Sequence, residues 1–301
     1  MSPFYFVNLG NFAHIRIYKM NHLTIDEYLI QALAEDVGDG DITSLACIPK
    51  DRISKAKLIV KADGIIAGIE IAKRIFSLVD DTLKLKIEFN DGTQVRVGDI
   101  AFYIEGNAQS ILTAERLVLN CMQRMSGIAT KTNQLVSLLK GTNSKLLDTR
   151  KTTPNFRVFE KMAVKIGGGF NHRFGLFDMI LIKDNHIDFA GGISNAINAA
   201  NDFLNNSKKD LQIEIEARNL DEVKQIIAIG MINRILLDNF SIPDINSAVA
   251  LIGGKYETEA SGNITAQNIL DYARCGVDFI SMGALTHSYS SLDLSLKAYK
   301  D

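Results

Sequence analysis

Residues 145–185, KLLDTRKTTPNFRVFEKMAVKIGGGFNHRFGLFDMILIKDN, contain two short apolar strands that both end in basic side chains. Arg150 and Lys151 follow the first strand, and Lys183 closes the second. Cations at the rigid ends of barrel strands suit multiply anionic small molecules, and arginine pairs bidentately with planar carboxylates. The segment therefore predicts a barrel-type arrangement of strands with an anion-binding site at the strand ends.

From about residue 142 onward, short apolar strands alternate with helical segments. This alternation is typical of parallel βαβ units, so the fold class is α/β. No G-x-G-x-x-G follows any of the strands, which argues against a dinucleotide-binding fold and favours closure into a barrel. The six predicted strands span residues 145–149, 179–183, 212–216, 234–238, 257–261 and 278–283.

The earlier part of the chain has a different pattern. Apolar residues recur with helical spacing over residues 23–35, and short alternating runs over residues 53–105 predict a small antiparallel sheet. A helix over residues 69–79 is expected to lie against that sheet. Helical spacing returns over residues 113–126, and we expect this helix to end at Gly127 as a C-cap.

This change of pattern divides the chain into two domains. We predict an α+β, sandwich-like domain over residues 20–128 and an α/β barrel over residues 129–287. Residues 1–19 form an extension ahead of the folded domain, with Met20 as a candidate for the true start. Residues 288–301 are expected to form an amphipathic helix that packs back on the first domain or on the barrel.

The composition limits the classes of partner. The 301 residues include 33 Lys and Arg against 35 Asp and Glu, and a net charge of −2 gives no reason to expect nucleic acid or an anionic membrane. No apolar run reaches the roughly 18 residues of a membrane span, and the N-terminus lacks the order of a signal peptide. Cys47, Cys121 and Cys275 are widely spaced without a CxxC pair, which argues against a disulfide framework or a zinc site. We therefore expect a protein of the reducing cytoplasm.

The strand ends, together with the glycine-rich loop after the first strand, carry residues that converge on one face of a barrel. The basic members suit carboxylates and phosphates, and the two carboxylates suit a divalent metal or sugar hydroxyls. The glycines let backbone N–H groups approach a phosphate. We therefore predict a phosphorylated sugar carrying Mg²⁺ beside a carboxylate-bearing reactant. The members are Arg150, Lys151, His172, Arg173, Lys183, Glu216, Asp238, Ser261, Gly262 and Gly283.

Eight motifs run in order from about residue 23 to the end of the chain. They are ALAEDVGDGDITS at 32–44, ERLVLNCMQRMSGIAT at 115–130, DTRKTTP at 148–154, GGGFNHR at 167–173, IKDNHI at 182–187, LLDNF at 236–240, EASGNI at 259–264 and GVDFISMGALTHS at 276–288. Together they resemble the quinolinate phosphoribosyltransferase family (nicotinate-nucleotide pyrophosphorylase, carboxylating). The most specific are DTRKTTP, NHR and KDNHI at these spacings.

The resemblance implies a reaction between quinolinate and phosphoribosyl pyrophosphate that gives nicotinate mononucleotide, pyrophosphate and CO₂ in de novo NAD synthesis, with Mg²⁺ as cofactor. It also implies an N-terminal α+β domain joined to an incomplete TIM-like barrel. The implied assembly is a homodimer in which Arg116 enters the partner subunit's site.

The resemblance further implies roles for single residues. The quinolinate pocket is expected to contain Arg116, Arg150, His172 and Arg173. Lys151 and Lys183 lie among the anionic groups of both substrates, Glu216 and Asp238 lie around the ribose and Mg²⁺, and Ser261, Gly262 and Gly283 lie in phosphate-binding loops. The expected catalytic residues are Lys151, Lys183, Glu216 and Asp238.

Several alternatives stay open from the sequence. In IEIEA the site carboxylate is Glu214 or Glu216, with Glu216 preferred. Lys183 at a strand end is also compatible with an aldolase-like lyase that forms a Schiff base. A retasked relative, similar to a protein linked to molybdate uptake, is the third hypothesis, and the retained arginines and carboxylates argue against it.

The remaining polar residues have simpler interpretations. His186 either has a structural role, capping a helix or filling a loop, or belongs to the site. We expect His14, His22 and His287 to be solvent or packing residues, and the cysteines to be small buried apolar groups. The acidic segment 36–41 lacks the later Glu of a calcium loop, and we expect a turn at the dimer interface.

Overall fold

The computed structural model describes residues 24–299 of the chain. The predicted extension over residues 1–19, together with Met20, His14 and His22, lies outside the described residues. Within residues 24–299, no helix is both long enough and apolar enough to cross a membrane.

Helices and strands alternate along most of the described chain. The helices are α1 (Ile25–Val37), α2 (Ile42–Cys47), α3 (Ile69–Val79), α4 (Ala108–Leu138), α5 (Arg157–Ile166), α6 (Asp184–Ala190), α7 (Ile193–Ser207), α8 (Leu220–Ile229), α9 (Ile242–Ile252), α10 (Ile269–Arg274) and α11 (Ala284–His287). The strands are β1 (Ile53–Val60), β2 (Gly64–Ile65), β3 (Lys84–Ile87), β4 (Gln94–Val95), β5 (Ile100–Asn107), β6 (Lys145–Leu147), β7 (Ile180–Ile182), β8 (Ile213–Ala217), β9 (Arg234–Asp238), β10 (Glu257–Ser261), β11 (Phe279–Ser281) and β12 (Leu294–Tyr299).

The second half of the described chain contains a six-stranded parallel sheet in the order β6-β11-β10-β9-β8-β7. Strand β8 is buried along its whole length, as expected where both faces of a parallel sheet are covered. Strands β6 and β7 lie at the two edges and do not pair with each other, so the barrel is open between them. The predicted α/β fold with an incomplete barrel is confirmed.

The first half forms the predicted α+β unit. Its main sheet is antiparallel in the order β12-β1-β5-β3, and β1 alternates between outward and buried side chains. Helix α3 has the predicted bounds and packs its apolar face on this sheet, with Phe76 and Phe102 in edge-to-face contact at 5.9 Å. Helix α1 begins with a capping box between Thr24 and Glu27, close to the predicted start.

The prediction that a helix ends at Gly127 is wrong. Helix α4 runs from Ala108 to Leu138 without a break, across the predicted domain boundary, which stays a prediction. Gly127 lies in the middle of the helix because the chain near the C-terminus crosses it there. A Cβ at this position would lie only 3.0 Å from both the carbonyl carbon of Ser290 and the Cα of Ser291. The glycine thus permits close backbone approach and does not cap the helix.

The predicted C-terminal helix is also wrong. Residues 294–299 form β12, which pairs antiparallel with β1 and so completes the first sheet. Leu292, Leu294 and Leu296 are buried, with polar residues between them. This period of two is typical of a half-buried strand, and it outweighs the weaker helical spacing. The segment does pack on the first domain, as a strand.

Candidate active site

A cavity of about 800 Å³ lies at the carboxyl ends of the barrel strands. Ten of the eleven predicted site residues line it, which are Arg150, Lys151, His172, Arg173, Lys183, Glu216, Asp238, Ser261, Gly262 and Gly283. Arg116 does not line it and is exposed on α4 instead. The chain therefore brings strand ends that are far apart in sequence to a single opening.

The cavity carries positive charge that the protein itself leaves unbalanced. Among the described residues, neither Arg150 nor Lys151 forms an ion pair, and the guanidinium of Arg173 donates only to the carbonyl of Met179, at 3.2 Å. Burial and the neighbouring charge of Arg150 lower the pKa of Arg173. An anion entering the cavity would relieve this repulsion and supply the missing partners.

Lys183 lines the same cavity and has a partner. Its ammonium group is 3.0 Å from Oε2 of Glu216, and the backbone N–H of Lys183 donates to Nδ1 of His186 at 2.9 Å. His186 thus has a structural role at the start of α6. Glu216 and Glu214 were the two candidates for the site carboxylate. Glu216 lines the cavity, whereas Glu214, two residues earlier in β8, is fully buried.

Two asparagines that the sequence analysis did not single out shape the far end of the cavity. Asn239 follows Asp238 and donates to its Oδ2 at 2.7 Å, and Asn263 donates to Oδ1 of Asn239 at 3.0 Å. Both have positive φ, of 56° and 54°, a conformation that asparagine tolerates better than most residues. The loops after β9 and β10 are therefore joined across Gly262, which has a φ of +91°.

Lys151 is held between two further elements. Its backbone carbonyl accepts from the hydroxyl of Thr286 at 2.9 Å, and its side chain passes over Gly283, where a Cβ would lie 2.7 Å from Lys151 Cδ. His287, expected to be a solvent or packing residue, lines the cavity at this side. The sequence signal for it is its place four residues after the strand-end glycine.

Below the cavity, a buried ion pair fixes the glycine-rich loop. Lys161 of α5 pairs with Asp148, and Lys161 also donates to the carbonyl of His172 at 2.9 Å. Oδ1 of Asp148 accepts from the backbone N–H of His172 at 2.9 Å. Burial raises the pKa of Asp148 to about 6 and lowers the pKa of Lys161. The sequence analysis did not single out this pair, because only the folded positions of β6 and α5 bring the two side chains together.

A second buried group lies between strands β8, β9 and β10. Glu214 and Glu259 are fully buried, and Arg234 donates to Oε2 of Glu259 at 3.1 Å. Burial and then the charge of Glu214 raise the pKa of Glu259 to about 7, and burial raises the pKa of Glu214. Nε2 of His172 lies 3.0 Å from Oε2 of Glu214, so this group contacts the wall of the cavity.

Glu216 and Asp238 are the described carboxylates at the strand ends that face the cavity and could hold a metal ion. Asp238 forms no ion pair among the described residues, and its hydrogen bond from Asn239 leaves Oδ1 available. Carboxylate oxygens of this kind are the ligands that Mg²⁺ uses together with substrate phosphates. The residues present therefore fit Mg²⁺.

Comparison with known proteins gives consistent matches over nearly the whole chain. The family model "Quinolinate phosphoribosyl transferase, N-terminal domain" matches residues 41–126, and the corresponding C-terminal domain model matches residues 128–297. Quinolinate phosphoribosyltransferase [decarboxylating] 1b of Nicotiana tabacum is 46% identical over 281 residues, which are 88% of this chain and 80% of that protein. The probable nicotinate-nucleotide pyrophosphorylase [carboxylating] of Bacillus subtilis is 40% identical over 277 residues, covering 92% and 94%.

A solved structure has a similar fold over most of this chain. The nicotinate-nucleotide pyrophosphorylase from Francisella tularensis superposes with a TM-score of 0.85 at 42% identity, over 91% of this chain and 96% of that one.

Proposed function

Because the chain belongs to the quinolinate phosphoribosyltransferase family, we propose that the cavity at the strand ends is the active site of the family reaction. The chain is a decarboxylating phosphoribosyltransferase. It joins quinolinate to the ribose of phosphoribosyl pyrophosphate and releases pyrophosphate and CO₂, leaving nicotinate mononucleotide for NAD synthesis.

The observation that carries the site assignment is the set of unbalanced cations. Quinolinate has two carboxylates on adjacent ring carbons, and Arg150 and Arg173 are suited to pair with them bidentately. Lys151 has no ion-pair partner among the described residues and reaches the same space. Holding both carboxylates leaves the ring nitrogen directed at the sugar, which converts an encounter of two molecules into a reaction within one complex.

The phosphorylated sugar is assigned to the other side of the cavity. Backbone N–H groups around Ser261, Gly262 and Gly283 suit phosphate oxygens, since no Cβ blocks their approach at the two glycines. Lys183 and Glu216 line the same cavity and suit the ribose hydroxyls. When Mg²⁺ is held by Glu216 and Asp238, it supplies positive charge for the pyrophosphate that leaves.

The steps follow from the chemistry of the two substrates. The ring nitrogen bonds to the anomeric carbon as the carbon–oxygen bond to pyrophosphate breaks, and Lys151 and Lys183 stabilise the departing charge. The ring then carries a positive charge, so it can take the electron pair of the breaking bond to the 2-carboxylate, which leaves as CO₂. A proton then replaces it. No covalent enzyme intermediate is needed.

The alternative of a Schiff-base lyase is disfavoured. Such chemistry needs a desolvated neutral amine, whereas the Lys183 side chain is 47% exposed and paired with Glu216. The retasked relative is disfavoured because the cations and both strand-end carboxylates line one cavity.

We further propose a homodimer in the cytoplasm. Arg116 is exposed outside its own subunit's cavity, which supports its insertion into a partner's site. The three free cysteines support a reducing compartment, although relatives carry names with chloroplastic and mitochondrial locations.

The test is a turnover assay with both substrates and Mg²⁺. We expect CO₂ release and nicotinate mononucleotide formation from quinolinate, none from nicotinate, and loss of activity with a chelator. Turnover of nicotinate in place of quinolinate, or the absence of CO₂, would overturn the proposed function.

A further inference from the structure

The imidazole of His172 has both ring nitrogens directed into the protein. Nδ1 accepts a hydrogen bond from the backbone N–H of Arg173 at 2.7 Å. Nε2 faces two buried carboxylates, at 3.0 Å from Oε2 of Glu214 and 3.5 Å from Oε2 of Glu259. The side chain is only 7% exposed, although one edge of it contributes to the cavity wall.

This geometry determines where the ring carries its proton. An imidazole nitrogen that accepts from a backbone N–H has no hydrogen of its own, because a protonated Nδ1 would be a donor facing a donor. The single proton of the ring therefore lies on Nε2, which is 3.0 Å from Oε2 of Glu214 without a hydrogen bond between them among the described residues. The ring is a neutral Nε2–H tautomer, and its one lone pair, on Nδ1, already accepts from the backbone N–H of Arg173.

The charges around the ring agree with this assignment. The positive groups near the ring are Arg234 of β9, Lys161 of α5 and Arg173 of the same loop. The negative groups are Asp148, directly after β6, Glu214 of β8 and Glu259 of β10. Burial is the largest influence and lowers the pKa of His172. An added proton on Nδ1 would also break the hydrogen bond to Arg173.

His172, Glu214 and Glu259 have the spacing of a small cation site, since one possible ligand atom from each lies within 4.8 Å of the others. The proton on Nε2 of His172 argues against a cation bound there. A metal would need the lone pair of Nε2, which carries the proton, and the guanidinium of Arg234 already supplies a positive charge to Glu259. The cluster is a support for the ring.

We propose that His172 is a neutral positioning residue, buried beside Glu214 and Glu259, that fixes the backbone of Arg173 through Nδ1 and does not itself supply positive charge to quinolinate. The proposal rests on the proposed function, because it assigns a part of the quinolinate pocket. It replaces the role of cation that the sequence implied for His172. The charge that this chain's own cavity offers the diacid then comes from Arg150, Lys151 and Arg173.

The first test is spectroscopic and needs no turnover. The protein has five histidines, and the signals of His172 in ¹⁵N-histidine-labelled protein are identified by their loss in His172→Asn. We expect one protonated and one unprotonated ring nitrogen between pH 6 and 8, both without ligand and with saturating quinolinate. Two protonated nitrogens at neutral pH in either state would overturn the proposal.

The second test compares three substitutions by calorimetric titration with quinolinate. His172→Gln keeps a neutral donor near Glu214, His172→Asn keeps an acceptor for the N–H of Arg173, and His172→Lys keeps positive charge alone. We expect the dissociation constant to rise less than about fivefold for the better neutral variant and more than about twentyfold for the lysine variant. The reverse order would overturn the proposal.

A parallel titration of Arg150→Ala separates this inference from the proposed function. If Arg150→Ala loses affinity for quinolinate and the His172 variants rank in the reverse order, only the positioning role of His172 is refuted. Unchanged affinity in Arg150→Ala refutes the quinolinate pocket itself, whatever the ring of His172 does.

Discussion

Arg150 is the residue on which the anion pocket depends most directly. It lies in the loop after β6, lines the cavity and has no carboxylate partner among the described residues. We expect Arg150→Ala to weaken quinolinate binding by about 2 kcal/mol or more, because a desolvated charge-assisted pair is lost. Calorimetric titration measures this, with Arg274→Ala as the control, since Arg274 is 69% exposed on α10 and away from the cavity. Equal affinity in the two variants would contradict the assignment.

Gly262 permits the contact between the loops after β9 and β10. A Cβ there would lie 2.6 Å from Cγ and 3.0 Å from the backbone N of Asn239, at a φ of +91° that already disfavours a side chain. We expect Gly262→Ala to raise the KM for phosphoribosyl pyrophosphate at least about tenfold, because the loop must shift away from the phosphate.

The control for Gly262 is Gly254→Ala. Gly254 has a similar φ of +74° but nothing within 4 Å of its added Cβ, so it tests backbone strain without the clash. Steady-state kinetics of both variants distinguish the two causes. A similar rise in KM for the two would show that strain, and not the approach of Asn239, limits this position.

Glu259 makes stability depend on pH in the direction opposite to an acid whose pKa is lowered on folding. Its pKa is about 7 in the folded protein against 4.5 for the free group, so the folded state holds a proton that the unfolded state has lost. The contribution of Glu259 to the free energy of unfolding is fully present below pH 4.5. It is lost as the pH rises through 7, at up to about 1.4 kcal/mol for each pH unit.

We therefore expect Glu259→Gln, which mimics the protonated acid, to become more stable relative to the parent as the pH rises from 5 to 8. Urea unfolding at each pH measures the difference in the free energy of unfolding. Glu257→Gln is the control, since Glu257 is 46% exposed and pairs with the same Arg234. A difference that does not change with pH would contradict the assignment.

The strand-end residues were predictable because each follows directly from a short apolar strand, and parallel strands present their carboxyl ends on one face. The pairing of the buried charged residues could not be predicted in this way. Glu259 balances Arg234 only because β10 lies beside β9 in the observed register, with Glu259 opposite Leu236 and Glu257 opposite Arg234. Period-two alternation gives the face of each side chain but not the neighbour across the sheet.

At the scale of elements, α4 shows why local signals fail. Glycine after a helical stretch is a common C-cap, so the break at Gly127 was a reasonable prediction. The reason that Gly127 is needed lies about 160 residues further along the chain, where the segment Ser290–Ser291 crosses the helix. Strand β12 was misread for a related reason, since its leucines satisfy both periods over a short window and its partner β1 decides between them.

The crossing predicts an unusual sign for Gly127→Ala. In an ordinary helix interior this change stabilises by about 1 kcal/mol, because alanine restricts the unfolded chain. Here the added methyl meets the backbone of Ser290 and Ser291, and we expect a net loss of about 1–3 kcal/mol from overpacking. Thermal unfolding measures it, with Asn120→Ala on the exposed face of α4 as the control. A stabilised Gly127→Ala protein would refute the account of the crossing.

At the scale of the whole molecule, a single chain leaves Arg116 without a function. It is exposed on α4, one turn after Leu112, which is 42% accessible. Helix α2, which contacts α4, exposes Ile42 and Leu45 at 80% and 63%. Exposed apolar groups beside an unused arginine are typical of an interface. A two-fold dimer would use the same face of both subunits, so each could supply Arg116 to the other.

Mixing of two inactive variants tests this arrangement. If Arg116 acts in the partner's cavity, a heterodimer of Arg116→Ala and Lys183→Ala has one site with both defects and one with neither. Random exchange then restores about a quarter of the parent activity, given two-fold symmetry. The control pairs Lys183→Ala with Asp238→Ala, two residues that line one cavity, so that every site in the mixture keeps a defect. Native mass spectrometry confirms exchange in both mixtures, and equal residual activity in the two would mean that each cavity is served by its own chain alone.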